Sequence, residues 1–306
     1  MKIFSFISLL LSLQTLAFSA SGSIGETGPG NIPHPRLLLL SGEEISIRNS
    51  VAGDEVWAKT HGFIIGECRK MMEKPPVERV MTGRRLLSVS REALRRIFYL
   101  SYAWRMTSDD GFYERAVEEM MAVAGFSDWN PSHFLDVAEM TMAVSLGYDW
   151  LFDRLPPGTR ITLRKAIVEK GLRPSMLPQN SGWTRAVHNW NQVCNAGMTF
   201  GALAVWEDEK ELADSVIDRA VKTITLPMND YEPDGAYPEG YSYWGYGTSF
   251  NVMLLYALEK VFGNDNLIKI NKGFMQTAGY LENMTGPTGL SFNYSDAGQG
   301  SGMNPA

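Results

Sequence analysis

Cysteine is scarce. Two in 306 residues, Cys68 and Cys194, are too few for a disulfide-built scaffold. The four histidines, His34, His61, His133 and His188, stand far apart, and no CxxC or HxxxH spacing marks a local metal site. Positive charge is not in excess: 28 Lys and Arg face 34 Asp and Glu, a formal net charge of −6. A globally basic nucleic-acid binder is therefore disfavoured. No apolar run reaches the roughly 18 residues a membrane span needs. What the chain has in plenty is aromatic surface, with eight Trp and twelve Tyr in a composition that is 44% hydrophobic. That balance is globular, and exposed aromatic faces stack well on flat partners such as sugar rings.

The first twenty residues read as an address rather than as fold. Met1-Lys2 gives a positive start, Ile3 to Leu13 is apolar apart from serine, and Ala17-Phe18-Ser19 has the form of a cleavage site. Residues 1–20 are expected to be a secretory signal peptide, which makes the mature protein secreted or periplasmic with no membrane anchor.

Beyond a Gly/Pro-rich lead, helical periodicity dominates. Phe134, Leu135, Ala138, Met142 and Leu146 share one stripe that ends at Trp150-Leu151. Trp104, Trp206 and Phe262 close comparable segments, each followed by a polar turn such as Thr107-Ser108-Asp109-Asp110 or Glu207-Asp208-Glu209. The intervals between these markers are 46, 56 and 56 residues, an irregular repeat of one helical hairpin plus loops. Two connections, Met176 to Asn189 and Pro227 to Gly247, are long and rich in polar and aromatic residues, unlike the even loops of an open solenoid. The expectation is an all-α fold, an incomplete (α/α) toroid of helical hairpins over residues 21–285. Residues 286–306 read as a linker in which Ser291-Phe292-Asn293-Tyr294-Ser295 is a short strand, with more protein following in the full gene.

Three clusters carry possible chemistry. The stretch from Trp183 to Asn195 gathers His188, Asn189, Asn191, Gln192, Asn195, Arg185 and two Trp, one of them Trp190, around a helix start. Capping needs only one or two such groups. Alone, His188 would be a hydrogen-bonded structural histidine; its company favours a site. The stretch from Asp230 to Gly247 holds Glu239, Tyr241, Tyr243, Trp244 and Tyr246 among glycines and prolines, a composition suited to sugar stacking and to a phenol acting as acid and base. Third, Arg79, Arg84, Arg85, Arg91, Arg95 and Arg96 fall within eighteen residues. They are either a solvated face of ion pairs or a basic edge for carboxylate and sulfate groups, with Arg91 and Arg95 as its substrate contacts. Cys194, six residues from His188, reads as a buried small apolar residue rather than a nucleophile.

Several motifs, in order, resemble the heparinase II/III-like polysaccharide lyases. They are His34-Pro35-Arg36-Leu37-Leu38, Ser90-Arg91-Glu92 leading to Tyr99-Leu100-Ser101-Tyr102, His188-Asn189-Trp190-Asn191-Gln192-Val193-Cys194-Asn195, Glu239-Gly240-Tyr241-Ser242-Tyr243-Trp244, and Phe292-Asn293-Tyr294-Ser295-Asp296. The wording is closest to the heparinase II branch. The resemblance implies an α/α toroid followed by antiparallel β-sheet domains, of which residues 286–306 would be the start. It implies β-elimination at a uronic acid, with heparin or heparan sulfate as first choice of substrate and alginate or another uronan as the alternative. In those terms His188 and Asn189 neutralise the uronate carboxylate, and Tyr243, 55 residues after His188, transfers the proton. Tyr241 is its rival. Trp190, Asn191, Glu239, Tyr241, Trp244, Tyr246, Arg91 and Arg95 would line the substrate. One branch of the family places a glutamate three residues after its histidine, where this chain has Asn191. No cofactor is implied; the family's structural metal and its second histidine belong to the sheet domain.

Two other classes fit the composition. An α/α-toroid glycosidase would use paired carboxylates such as Asp234 and Glu239. A non-catalytic glycan-binding protein, or an inactive fragment, would bind acidic polysaccharide without shortening it. In every case the expected partner is an acidic glycan and not nucleic acid.

Overall fold

A computed structural model describes residues 32–263, 268 and 270–298. The chain is mostly helical, with no strand among the described residues. The helices are α1 (Glu44–Gly53), α2 (Glu55–Met72), α3 (Leu87–Thr107), α4 (Asp110–Ala124), α5 (Phe134–Leu151), α6 (Pro157–Ala166), α7 (Arg173–Met176), α8 (Asn189–Ala204), α9 (Lys210–Thr223), α10 (Thr225–Met228), α11 (Tyr241–Phe262), α12 (Lys272–Gln276) and α13 (Tyr280–Asn283). A π-helical stretch, Ile167–Leu172, joins α6 to α7. No helix among the described residues is long and apolar enough to cross a membrane.

Local chemistry sets many of the boundaries. The Asp54 carboxylate accepts from the amides of Val56 and Trp57 to open α2, and Asp109 caps the Gly111 amide to open α4. The turn at Ser108 follows α3 in a left-handed conformation. The helix α11 begins at Tyr241, so the aromatic stretch Tyr241–Gly247, expected to lie in a connection, forms its first two turns. From there Tyr246, Phe250, Met253, Leu254 and Ala257 recur on one buried stripe.

Four helices, α3, α5, α8 and α11, lie side by side in chain order, each packed on the next. Their partners α2, α4, the α6–α7 segment and α9 stand outside them. Every residue of α5 is buried, as befits a helix covered on all sides. The inner helices approach closely where glycine permits it. A Cβ on Gly197 of α8 would sit 2.2 Å from the Ala138 carbonyl oxygen of α5.

The four inner helices run parallel, because their like ends share partners. At the C-terminal ends, residues 34–44 form a strap. The His34 ring and the amides of Arg36 and Leu37 converge on Asp149 of α5. The Arg36 guanidinium pairs with Glu207 after α8, Glu44 pairs with Arg105 of α3, and Glu43 pairs with Lys260 of α11. Trp104, Trp150, Trp206 and Phe262 all fall at this end, so the marker aromatics read from the sequence do mark four equivalent helix ends. The N-terminal ends of the inner helices gather opposite the strap.

Two expectations about the termini are not met or not reached. Ser291-Phe292-Asn293-Tyr294-Ser295 does not form a strand. The pairing stops at one antiparallel bridge, Thr285 with Ser291, flanked by bonds from the Phe292 amide to the Met284 carbonyl and from the Gly286 amide to the Leu290 carbonyl, and the chain turns at Ser295 with φ of 51°. The candidate signal peptide, residues 1–20, and the last residues of the linker, 299–306, lie outside the described residues.

Candidate active site

The open end of the helix row collects the residues singled out in the sequence. His188 is the N-cap of α8: its backbone is extended, and Nδ1 accepts from the Trp190 amide at 3.4 Å. With Nδ1 turned to the Trp190 amide, Nε2 is the ring nitrogen left to donate outward. Asn189 begins the helix and is buried. Its Nδ2 donates to Glu239 Oε2 at 2.9 Å, and Tyr237 donates its hydroxyl to the same oxygen at 3.1 Å. Glu239 thus joins the starts of α8 and α11 from the connection between them.

The position of Tyr243 follows from the packing of α8 on α11. A Cβ on Gly247 would lie 2.0 Å from Gln192 Oε1 and 3.2 Å from Asn189 Cβ. Gly247 and Gln192 therefore face each other, 55 residues apart in sequence, and His188 and Tyr243 have the same separation one turn nearer the open end. In parallel helices of equal rise that places the half-buried phenol and the half-buried imidazole at one height on neighbouring helices. Asp230 completes this corner: burial first, and then the Glu239 charge, raises its carboxyl above the usual carboxylate range, while His188 acts in the opposite direction.

One turn deeper, a second constellation crosses the interior. Glu139 of α5 is 2% exposed. Its Oε1 accepts from Arg91 Nε of α3 at 3.2 Å and from the hydroxyl of Tyr246 of α11. The Arg91 guanidinium lies over the Tyr246 ring, 4.8 Å from its centroid. Burial raises the Glu139 carboxyl, and raises the Tyr246 phenol well above its ordinary value, so Tyr246 keeps its proton and donates a hydrogen bond to Glu139. The sequence signal for Glu139 is an acid set among the apolar residues of α5, a helix that also carries Asp136 and Asp149; sequence reading alone does not single it out.

Other expected contacts lie elsewhere. Asn191 is fully buried and donates to the carbonyls of Thr184 and Thr223, so it anchors the loop before α8 instead of facing a substrate. Arg95 is taken by Glu92 and Glu67, on the side of α3 that meets α2, away from the open end. Arg79 pairs with Asp128, and Arg96 with Glu92 and Glu119. Most of the arginine run is therefore neutralised within the fold, the ion-pair reading of that segment: Arg96 is itself buried against Glu119, and Arg91, half-exposed, reaches Glu139 of α5. Tyr246 is buried beneath the Arg91 guanidinium, and Tyr241 is buried at the helix start. Trp244 turns to the C-terminal segment, with Nε1 donating to Thr277 Oγ1 at 2.7 Å. Trp190, partly exposed, meets the His133 ring edge-on at 5.0 Å. Asp234 is exposed in a turn, where it accepts from the Ala236 amide, and is not drawn into the cluster. Cys194 is buried, and burial raises its thiol well above the ordinary value.

Gln192 ties the rear wall: its Nε2 donates to the Tyr231 hydroxyl at 2.9 Å, which lies 2.8 Å from Thr248 Oγ1. Burial pushes the Tyr231 phenol up to about 12. Among the described residues no group of three or more His, Cys, Asp or Glu is arranged to hold a metal ion. The corner offers a donor imidazole, a phenol, and a carboxylate that fixes both helix starts. Comparison with known proteins adds no identity to this geometry: no family model matches the chain, and no curated protein matches it.

Proposed function

We propose that the protein is a polysaccharide lyase that cleaves uronic-acid glycans by β-elimination, with an α/α-toroid as its helical frame. The observation that carries the reading is the facing of Gly247 and Gln192, from which helical rise puts His188 and Tyr243 at one height a turn nearer the open end. In this reaction the C5 proton of a uronate is removed and the sugar linked at C4 leaves, with a double bond forming between C4 and C5. The proton is weakly acidic because the neighbouring carboxylate is anionic. A donor placed on that carboxylate stabilises the enolate-like state in which charge builds up. The Nε2 hydrogen of His188 is suited to this task. Tyr243 moves the proton between C5 and the leaving oxygen. Asn189, buried, serves as a positioning residue by holding Glu239. Heparin or heparan sulfate is the first choice of substrate, with alginate as the alternative.

The test is incubation of the full-length protein with heparan sulfate, alginate and chondroitin sulfate, followed by ultraviolet absorbance and by reducing-end assay. Elimination yields new reducing ends together with a conjugated alkene that absorbs in the ultraviolet. New ends without absorbance would mean hydrolysis, and saturable binding without shortening would mean a glycan-binding protein; either result overturns the proposal.

A further inference from the structure

The row of inner helices is bent enough for its first member to touch its last. Arg91 leaves α3, passes Glu139 on α5 and lies across the Tyr246 ring on α11. Its side chain is 50% exposed, although the carboxylate it meets is buried. Glu139 engages the guanidinium at Nε, and among the described residues neither terminal nitrogen pairs with a second carboxylate. The Tyr246 hydroxyl lies within hydrogen-bonding reach of the guanidinium as well, yet half of the side chain faces solvent, where its fork can meet a ligand. A planar fork of this kind matches a carboxylate or sulfate in bidentate geometry.

We infer that Glu139 is a positioning residue, which with the Tyr246 hydroxyl fixes Arg91 across the interior as an anchor for the acid group of a bound sugar. The inference rests on the glycan reading above, but not on elimination. Both hydrogen bonds to Glu139 fall on one oxygen, Oε1. That detail separates geometry from charge. In Glu139→Gln the amide oxygen keeps both bonds while the negative charge beside Arg91 disappears. In Glu139→Leu the shape is roughly kept but both bonds are lost.

The experiment is isothermal titration calorimetry of the folded protein with a heparan sulfate hexasaccharide, an alginate hexamer and neutral cellohexaose. Wild type should bind at least one acidic oligomer and not the neutral one. Arg91→Gln should weaken that binding by about tenfold or more. Glu139→Gln should match or exceed wild type by a few fold, and Glu139→Leu should weaken binding about as much as Arg91→Gln. If Glu139→Leu does not fold, Tyr246→Phe serves instead and should weaken binding several-fold. A folded Glu139→Leu or Tyr246→Phe with wild-type affinity would reduce Glu139 to packing and overturn the inference, as would equal binding of the neutral oligomer or no binding of either acidic one. Binding that follows this order in a protein that eliminates no polymer would uphold the anchor and remove the lyase reading. Elimination with affinities indifferent to Glu139 and Tyr246 would do the reverse.

Discussion

Gly247 and Gln192 occupy each other's space: the amide oxygen of one stands 2.0 Å from where a Cβ of the other would be. The contact fixes the register of α11 on α8, and that register brings Tyr243 to the height of His188. Gln192 has little room to yield, since it is fully buried and bound to Tyr231. Gly247→Ala is expected to cost about 1–3 kcal/mol through overpacking. If the proposed lyase reading holds, it should also lower elimination more than stability, because the register shift falls on the pair proposed to react. Thermal unfolding and a kcat measurement on the same preparation check this, and Gly182→Ala, where a Cβ would meet nothing within 4 Å, is the control.

Tyr243 and Tyr241 separate by position. Tyr241 is buried at the helix start, whereas Tyr243 is half-buried in the first turn, at the height the register assigns to His188. Tyr243→Phe should lower kcat by about 10²–10⁴, the range of general acid–base catalysis, with the far-ultraviolet spectrum unchanged. Tyr241→Phe should leave kcat within a few fold. Were Tyr241→Phe the damaging change, the register argument would fail with it. His188→Ala should abolish elimination and also remove the cap hydrogen bond of the Trp190 amide, so its Tm is measured alongside.

Much of the helical frame was legible because it is written in short-range patterns. The aromatic markers, the polar turns and the stripe of α5 each depend on residues within one or two helical turns, and the structure places Trp104, Trp150, Trp206 and Phe262 where that reading expects helices to end. The site was legible only in part. Arg91, Glu139 and Tyr246 meet across separations of 48 and 107 residues, and no local pattern carries such a register. Asn191 shows a related limit: polar density at a helix start does not say which polar groups turn inward. Its amide faces Thr184 and Thr223, whereas that of its neighbour Asn189 faces Glu239.

Asp230 makes stability depend on pH. Burial and the nearby Glu239 raise its carboxyl on folding, so the native chain holds that proton more tightly than the unfolded chain does. As pH rises from the unfolded value, about 3.9, through the raised native value, the native state loses stability, and above that value the whole cost is present. Asp230→Asn removes it. The variant should melt higher than wild type at about pH 7, and the difference should shrink toward zero near pH 3, where both states of the wild type are protonated. Paired melting curves across that interval test the sign; a variant less stable at pH 7 than at pH 3, relative to wild type, would contradict it.

Asp149 bears on the opposite end of the molecule. Its carboxylate is fully buried and takes the amides of Arg36 and Leu37 at 2.8–3.0 Å as well as the His34 ring at 2.6 Å. Trp150 beside it donates to the Leu37 carbonyl at 2.7 Å. The strap passes from α5 to the ends of α3, α8 and α11 through Glu44, Arg36 and Glu43, so one carboxylate sets the origin of contacts that tie four helix ends together. Asp149→Ala would leave two backbone amides and a ring nitrogen buried without an acceptor. At about 1–3 kcal/mol for each unsatisfied group, a loss of at least about 3 kcal/mol is expected, with the strap released before the helices unfold. Limited proteolysis should then cut within residues 32–43 at a temperature where wild type resists, while helical circular dichroism persists. Cleavage elsewhere first, or simultaneous loss of helix and strap, would show that the helix ends do not need the strap to stay together.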